Sequence, residues 1–224
     1  MTTARRAGRY AAFKAFFDSV EDRIMRIAKA DKRHSAFDAS HKLYVAAGGR
    51  NGALDNRLVE VFYGSRPLAS YARIEVSDQT GIPQKYMRAI SEHGASLIYQ
   101  RLPNGRVACV LYPATTESLR PTESAIVLAK HLEPSRLDSS DWVVNAHWNS
   151  FIAYMQCTCV DGDPSWRDWA RVTTLRLFKP MIFDRHVQDP AVWRGLRRAL
   201  FWAFTVGLSG SVLAFVQLLF ATRK

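Results

Sequence analysis

The chain has 224 residues, 48% of them hydrophobic and six of them tryptophan, which excludes a disordered or low-complexity protein. Its formal net charge of +11 is unevenly spread: residues 1–42 hold ten Lys/Arg against five Asp/Glu, 43–165 eleven against twelve, and 166–198 eight against three. A nucleic-acid-binding domain carries its positive charge on the folded body, so the near-neutral middle disfavours nucleic acid, and the basic ends point to an anionic lipid leaflet.

Tyr10, Phe13, Phe17, Val20, Ile24 and Ile27 recur at spacings of three and four, which predicts an amphipathic helix over 4–30. Its apolar stripe can pack on the following domain, pair with a second copy, or lie on a membrane. Residues 31–56 are polar and glycine-bearing and read as a linker with one turn of helix near Tyr44. Gly48-Gly49-Arg50 lacks the Lys-Ser/Thr that closes a phosphate loop, so no nucleotide cofactor is expected.

From Arg57 the period changes to two. Residues 57–64 and 69–77 read as strands joined by a turn at Ser65 and Pro67. Thr80-Gly81-Ile82-Pro83 then opens an expected short helix through about Glu92, with Tyr86, Met87 and Ile90 inward and Gly94 ending it. Residues 95–102 and 106–114 form a hairpin around Pro103-Asn104-Gly105, because Asn and Gly tolerate positive φ. A strand over 124–130 follows a long polar loop.

Residues 139–160 read as a helix capped by Ser139 or Ser140, with Val144, His147, Trp148, Phe151, Ile152, Met155 and Cys159 on one face. Asp163-Pro164 reads as the N-cap and first position of the next helix, with Trp166, Trp169, Ala170 and Leu177 inward and Lys179-Pro180 as its stop. Residues 181–198 are expected to descend toward a membrane, with Arg194, Arg197 and Arg198 touching its surface.

Ala199 to Ala221 contains no Asp, Glu, Lys, Arg or His over 23 residues. A helix of that length rises about 34 Å, enough to cross the ~30 Å hydrocarbon core of a bilayer. Ala203, Gly207, Gly210, Ser211, Ala214 and Gln217 fall on one stripe, where small residues let two helices approach and Gln217 can hydrogen-bond across the contact. A homo-oligomer paired through this span is the expectation. The start of the chain lacks the apolar run of a secretory signal, which places the body in the cytoplasm with the C-terminus across the bilayer.

Catalytic signals are sparse. None of the six histidines shares a helical turn with another at ligand spacing. His131 and His147 are the candidates for a hydrolytic pair, with Glu123 or Asp141 beside them. Cys157-Thr-Cys159 lacks zinc spacing and no Cys/His pair completes it, so no metal is expected; the odd count of three cysteines reads as reduced thiols. The binding site is placed at Tyr112 and the loop after it, with Thr115, Thr116, Glu117, Ser118 and Arg120, because long loops on rigid strands carry recognition.

The expected fold class is α+β: an N-terminal amphipathic helix, an antiparallel sheet of about five strands packed with C-terminal helices, then one C-terminal transmembrane helix. The expected divisions are a basic arm and linker (1–42), an α+β domain (43–180), a basic juxtamembrane segment (181–198), the span (199–221) and a short tail (222–224). The function implied is a membrane-anchored sensing or scaffolding module that binds a protein or small ligand. A tethered hydrolase or nuclease is the alternative, and a nucleic-acid binder using the basic arm is a third.

Overall fold

The N-terminal helix α1, Thr3–Ala30, lays Phe13, Phe16, Val20, Ile24 and Ala28 into the core, a 3-4-4-4 spacing that follows the 3.6-residue turn. These differ by about one row from the expected stripe. Phe17 and Ile27 only flank the core, and Tyr10 stays at the surface, where its hydroxyl donates to Pro103 O at 2.9 Å. A computed structural model of the chain describes residues 3–51, 55–76, 83–116, 123–139, 141–183 and 186–190, with 192, 193, 195 and 197 beyond them.

The architecture is α+β. Ten strands are described: β1 Leu43–Ala47, β2 Leu58–Tyr63, β3 Ser65–Val76, β4 Pro83–His93, β5 Ser96–Arg101, β6 Val107–Tyr112, β7 Thr115–Thr116, β8 Ala125–Leu132, β9 Met181–Phe183 and β10 His186–Gln188. The helices after α1 are α2 Lys32–Asp38, α3 Ser135–Ser139, α4 Asp141–Thr158 and α5 Trp166–Phe178. Seven strands make one sheet in the order β1-β2-β5-β6-β8-β9-β10, and β3-β4-β7 make a second. Every pairing is antiparallel.

Period two divides the large sheet into two faces. Val59, Val61, Tyr63, Leu97, Tyr99, Cys109, Leu111, Ile126 and Leu128 point to the face covered by α1 and α4 and form the core. Tyr63 stacks on Phe151 of α4 with centroids 5.4 Å apart and an interplanar angle of 12°. Helix α4 is buried almost all round because α5 packs on its far side. Its sequence is apolar on more than one stripe, as such a position requires.

The hairpin of β5 and β6, the strand β8 and the helix α4 stand where the sequence puts them. Gly105 in the hairpin turn has φ 79°, the left-handed conformation expected of it. Five expectations are corrected. Residues 83–93 form a strand, not a helix: their helix-favouring residues are overridden by eleven register pairs with β3, and Tyr86 and Met87 are exposed. The linker over 31–56 contains α2, capped by Asp31, and β1, fixed by five pairs with β2. β2 and β3 do not form a hairpin, because they belong to different sheets.

Helix α5 begins two residues later than expected. Ser165 is its N-cap, in a reciprocal capping box with Asp168. Asp168 and Val172, rather than Trp166, Trp169, Ala170 and Leu177, face inward. Met181–Phe183 and His186–Gln188 return to the sheet as β9 and β10 and lengthen it to seven strands from the expected five.

The transfer of the chain between sheets occurs at Gly64 and Gly94. Gly94 N–H donates to Gly64 O at 3.2 Å, and a Cβ on Gly94 would lie 2.8 Å from Tyr63 O. Only glycine permits that approach, and it lets β3 and β4 leave the body as a long two-stranded ribbon.

Candidate functional site

The second face of the large sheet has no helix on it among the described residues. A groove of about 720 Å³ lies there, lined by Ile98, Tyr112, Pro113, Ala125 and Ile182 over its apolar floor, with Arg50, Glu60, His93, Ser96, Thr115 and Glu123 around it. The volume falls in the range of small-molecule sites. Its charges are already matched. Arg50 Nε donates to Glu60 Oε1 at 2.9 Å while its guanidinium lies 4.2 Å from the centroid of Phe62, and Arg176 pairs with Glu123. His93 Nδ1 lies 2.6 Å from Ser65 Oγ, its register partner across the ribbon. A groove with an apolar floor and paired charges favours a ligand that is largely apolar and carries few net charges.

Alternation sends the residue beside His93 to the opposite side. Glu92 is fully buried at the base of the ribbon, directly across from Arg66, whose Nε donates to Glu92 Oε2 at 2.9 Å. The same guanidinium reaches Asp161 Oδ2 at 2.7 Å. Val160 N–H donates to Glu92 Oε1 at 2.5 Å, and the Cys159 thiol donates to Glu92 Oε2 at 3.3 Å. His41, which follows α2, brings Nε2 to 3.4 Å from Glu92 Oε2 without hydrogen-bond alignment, so that buried nitrogen has no partner among the described residues.

Burial shapes the titration of this cluster. It pushes the Cys159 thiol up to about 11, with the adjacent Glu92 charge adding to the effect. Burial also lowers His41, and the Arg66 charge adds to that against the opposing pull of Glu92. For Arg66, burial opposes the charge but the hydrogen bonds to Glu92 and Asp161 outweigh it and raise its pKa. The group thus sets a neutral histidine and a protonated thiol beside Glu92 and Asp161 around one guanidinium. His41, Glu92 and Cys159 are the described side chains whose His, carboxylate and thiol donors converge closely enough to hold a metal ion.

The residues expected from sequence are scattered. His147 turns into the core, with Nδ1 3.2 Å from Tyr99 Oη and 3.7 Å from Cys109 Sγ, and burial lowers it to about 4. His131 is exposed near the end of β8. Glu123 is held by Arg176, and Asp141 by Arg23 at 2.9 Å. Tyr112 and Thr115 do line the groove, and Thr116 pairs β7 to β4. Glu117, Ser118, Arg120, Arg194, Arg198 and the stripe Ala203, Gly207, Gly210, Ser211, Ala214 and Gln217 lie outside the described residues. Arg197 is exposed and lies 3.6 Å from Asp189. No described helix is long and apolar enough to cross a membrane.

Sequence reasoning missed the convergence at the ribbon base. Its members come from four separate segments, and the one local signal was the Cys157-Thr-Cys159 pair, of which only Cys159 takes part. In comparisons with known proteins, no family model, no curated protein and no solved structure matches this chain.

Proposed function

We propose that this protein is a membrane-tied sensing or scaffolding module whose open sheet face binds a small, largely apolar ligand. The observation that carries the reading is the groove of about 720 Å³ beside Tyr112 and Thr115, on the face that no described helix covers. The tie to the membrane rests on the charge-free run from Ala199 to Ala221, with Arg194, Arg197 and Arg198 at its cytoplasmic edge against anionic lipid. Pairing of two or more copies rests on the Gly207/Gly210 stripe. Ligand state would then pass to a partner protein through clustering of the spans.

The test uses the full chain. Purified in detergent from its membranes, it should release a small lipophilic species on denaturation, detected by mass spectrometry. Ile98→Trp, which fills the groove floor, should abolish recovery while leaving the thermal midpoint within a few degrees. Equal recovery from wild type and Ile98→Trp, or none from either even after incubation with a lipid and metabolite extract, overturns the ligand reading. Extraction of the chain from membranes by alkaline carbonate overturns the tie.

A further inference from the structure

We propose that His41 Nε2, Glu92 Oε2 and Cys159 Sγ bind one zinc ion, which fastens the base of the β3–β4 ribbon to the ends of α2 and α4. The proposal is independent of the groove on the other face.

Geometry is the first argument. Tetrahedral zinc with nitrogen, oxygen and sulfur ligands at ~2.0–2.3 Å sets its donors roughly 3.3–3.8 Å apart. Glu92 Oε2 already stands 3.4 Å from His41 Nε2 and 3.3 Å from Cys159 Sγ, and all three donor atoms lie within 4.8 Å of one another. Both histidine and glutamate side chains are fully buried. The thiolate in the set selects a borderline cation such as zinc over magnesium or calcium.

The hydrogen bonds of His41 are the second argument. Ser40 Oγ lies 3.0 Å from His41 Nδ1 and 3.3 Å from Phe37 O. In the tautomer with Nδ1–H donating to Ser40, Nε2 carries a bare lone pair. The lone pair faces a carboxylate oxygen, and two acceptors 3.4 Å apart in a dry site repel unless a cation lies between them.

Charge balance is the third. With the thiol protonated, Glu92 and Asp161 against Arg66 leave the cluster one negative charge in excess. On binding, zinc takes the Cys159 sulfur as thiolate and its proton passes to solvent. Two positive charges arrive and one new negative charge forms, so the cluster becomes neutral.

The experiment titrates the untagged full chain, stripped with EDTA in detergent, with zinc chloride and separately with cobalt chloride. One zinc per chain should bind, raising the thermal midpoint and releasing about one proton at neutral pH. Cobalt should give a thiolate charge-transfer band that survives in Cys157→Ser and disappears in Cys159→Ser, and His41→Gln should weaken zinc binding at least tenfold. Failure of the folded wild-type chain to take up one zinc overturns the proposal without recourse to any variant. A cobalt–thiolate band that persists in Cys159→Ser overturns it as well.

Discussion

Two buried clusters in this protein are built on the same plan, an arginine held between two acids, and they end differently. In the first, Arg33 bonds Asp31 Oδ2 and Asp168 Oδ1, each at 2.7 Å. In the second, Arg66 bonds Glu92 at 2.8 Å and Asp161 at 2.7 Å. Each triad carries one negative charge in excess. The first disperses it: Asp31 caps α2 and Asp168 sits in the first turn of α5, so both face the positive end of a helix. Trp148 Nε1–H donates to Asp31 at 3.0 Å and Ser165 Oγ–H to Asp168 at 2.6 Å. Hydrogen bonds from Arg33 and Trp148 outweigh burial and hold the Asp31 carboxyl below its usual range. The second triad lies at the C-terminal, negative end of α4 and leaves His41 Nε2 without a partner. A charge motif closed by helix N-termini needs nothing more. The same motif at the other end of a helix calls for a cation.

The contrast breaks most severely at Glu92. Glu92→Ala leaves the Arg66 guanidinium, 16% exposed, with the exposed Asp161 and a 3.8 Å contact to Cys159 Sγ, and removes the central metal donor. Breaking a buried pair in this way costs about 3–5 kcal/mol, read as a lowered midpoint in urea unfolding followed by tryptophan fluorescence. A loss under ~1 kcal/mol would show that the cluster does not hold the ribbon base. Asp168→Ala comes next, at about 2–3 kcal/mol, because it removes one partner of Arg33 together with the α5 capping box. A chelator separates the two clusters. EDTA should lower the wild-type midpoint and leave the decrement from Asp168→Ala the same size; a decrement that changes with EDTA would couple the sites and remove the distinction.

The two clusters also differ in how far the sequence revealed them. Helical periodicity shows α1 and α4, and the alternation of 95–102 and 106–114 around Asn104-Gly105 shows the hairpin, because those signals lie within one element. The ribbon does not show itself that way. Residues 83–93 hold Gln84, Lys85, Met87, Arg88, Ala89 and Glu92, ordinary helix formers, and become a strand only through pairing with residues up to 28 positions away. His41 sits in a stretch whose polarity hides its burial. Glu92 reads as a surface acid until the register places Arg66 across from it. Ser165 and Asp168 carried a legible cap signal, but the simpler Asp163-Pro164 pattern two residues before Ser165 competed with it. Tyr112 and Thr115 were placed at a binding loop from its length and polarity between strands, and they line the groove.

Acid probes the histidines of both settings. His147 is half-buried against Tyr99 and Cys109 and lowered by its burial to about 4, against roughly 6.5 in an unfolded chain. The unfolded state therefore takes up the proton first. This contribution to stability is whole above about pH 6.5 and falls as the pH drops toward 4. By pH 5 the loss is about 2 kcal/mol, and His147→Leu should remove it, so that wild type and variant differ less at pH 5 than at pH 7. His41 is shifted the same way and supplies part of the remaining acid sensitivity. A wild-type curve no steeper than that of His147→Leu between pH 7 and 5 would refute the neutral state of His147.

The smallest effect belongs to an ion pair with neither burial nor a network. Lys14 and Asp18 meet one turn apart on the outer face of α1, with side chains 64% and 55% exposed, and Lys14 also lies over the ring of Phe17 at 5.7 Å. Solvent screens the pair, and ordering two long side chains offsets much of the attraction, so Lys14→Ala should cost less than ~0.5 kcal/mol. Adding salt should leave that small cost smaller still, whereas the loss at Glu92 should persist in salt because its partners are shielded from the solution. If Lys14→Ala cost as much as Asp168→Ala, placement relative to helix ends and burial would not be what sorts the charged groups of this protein. The helix end at which His41 and Glu92 meet would then give no reason for a cation beside them.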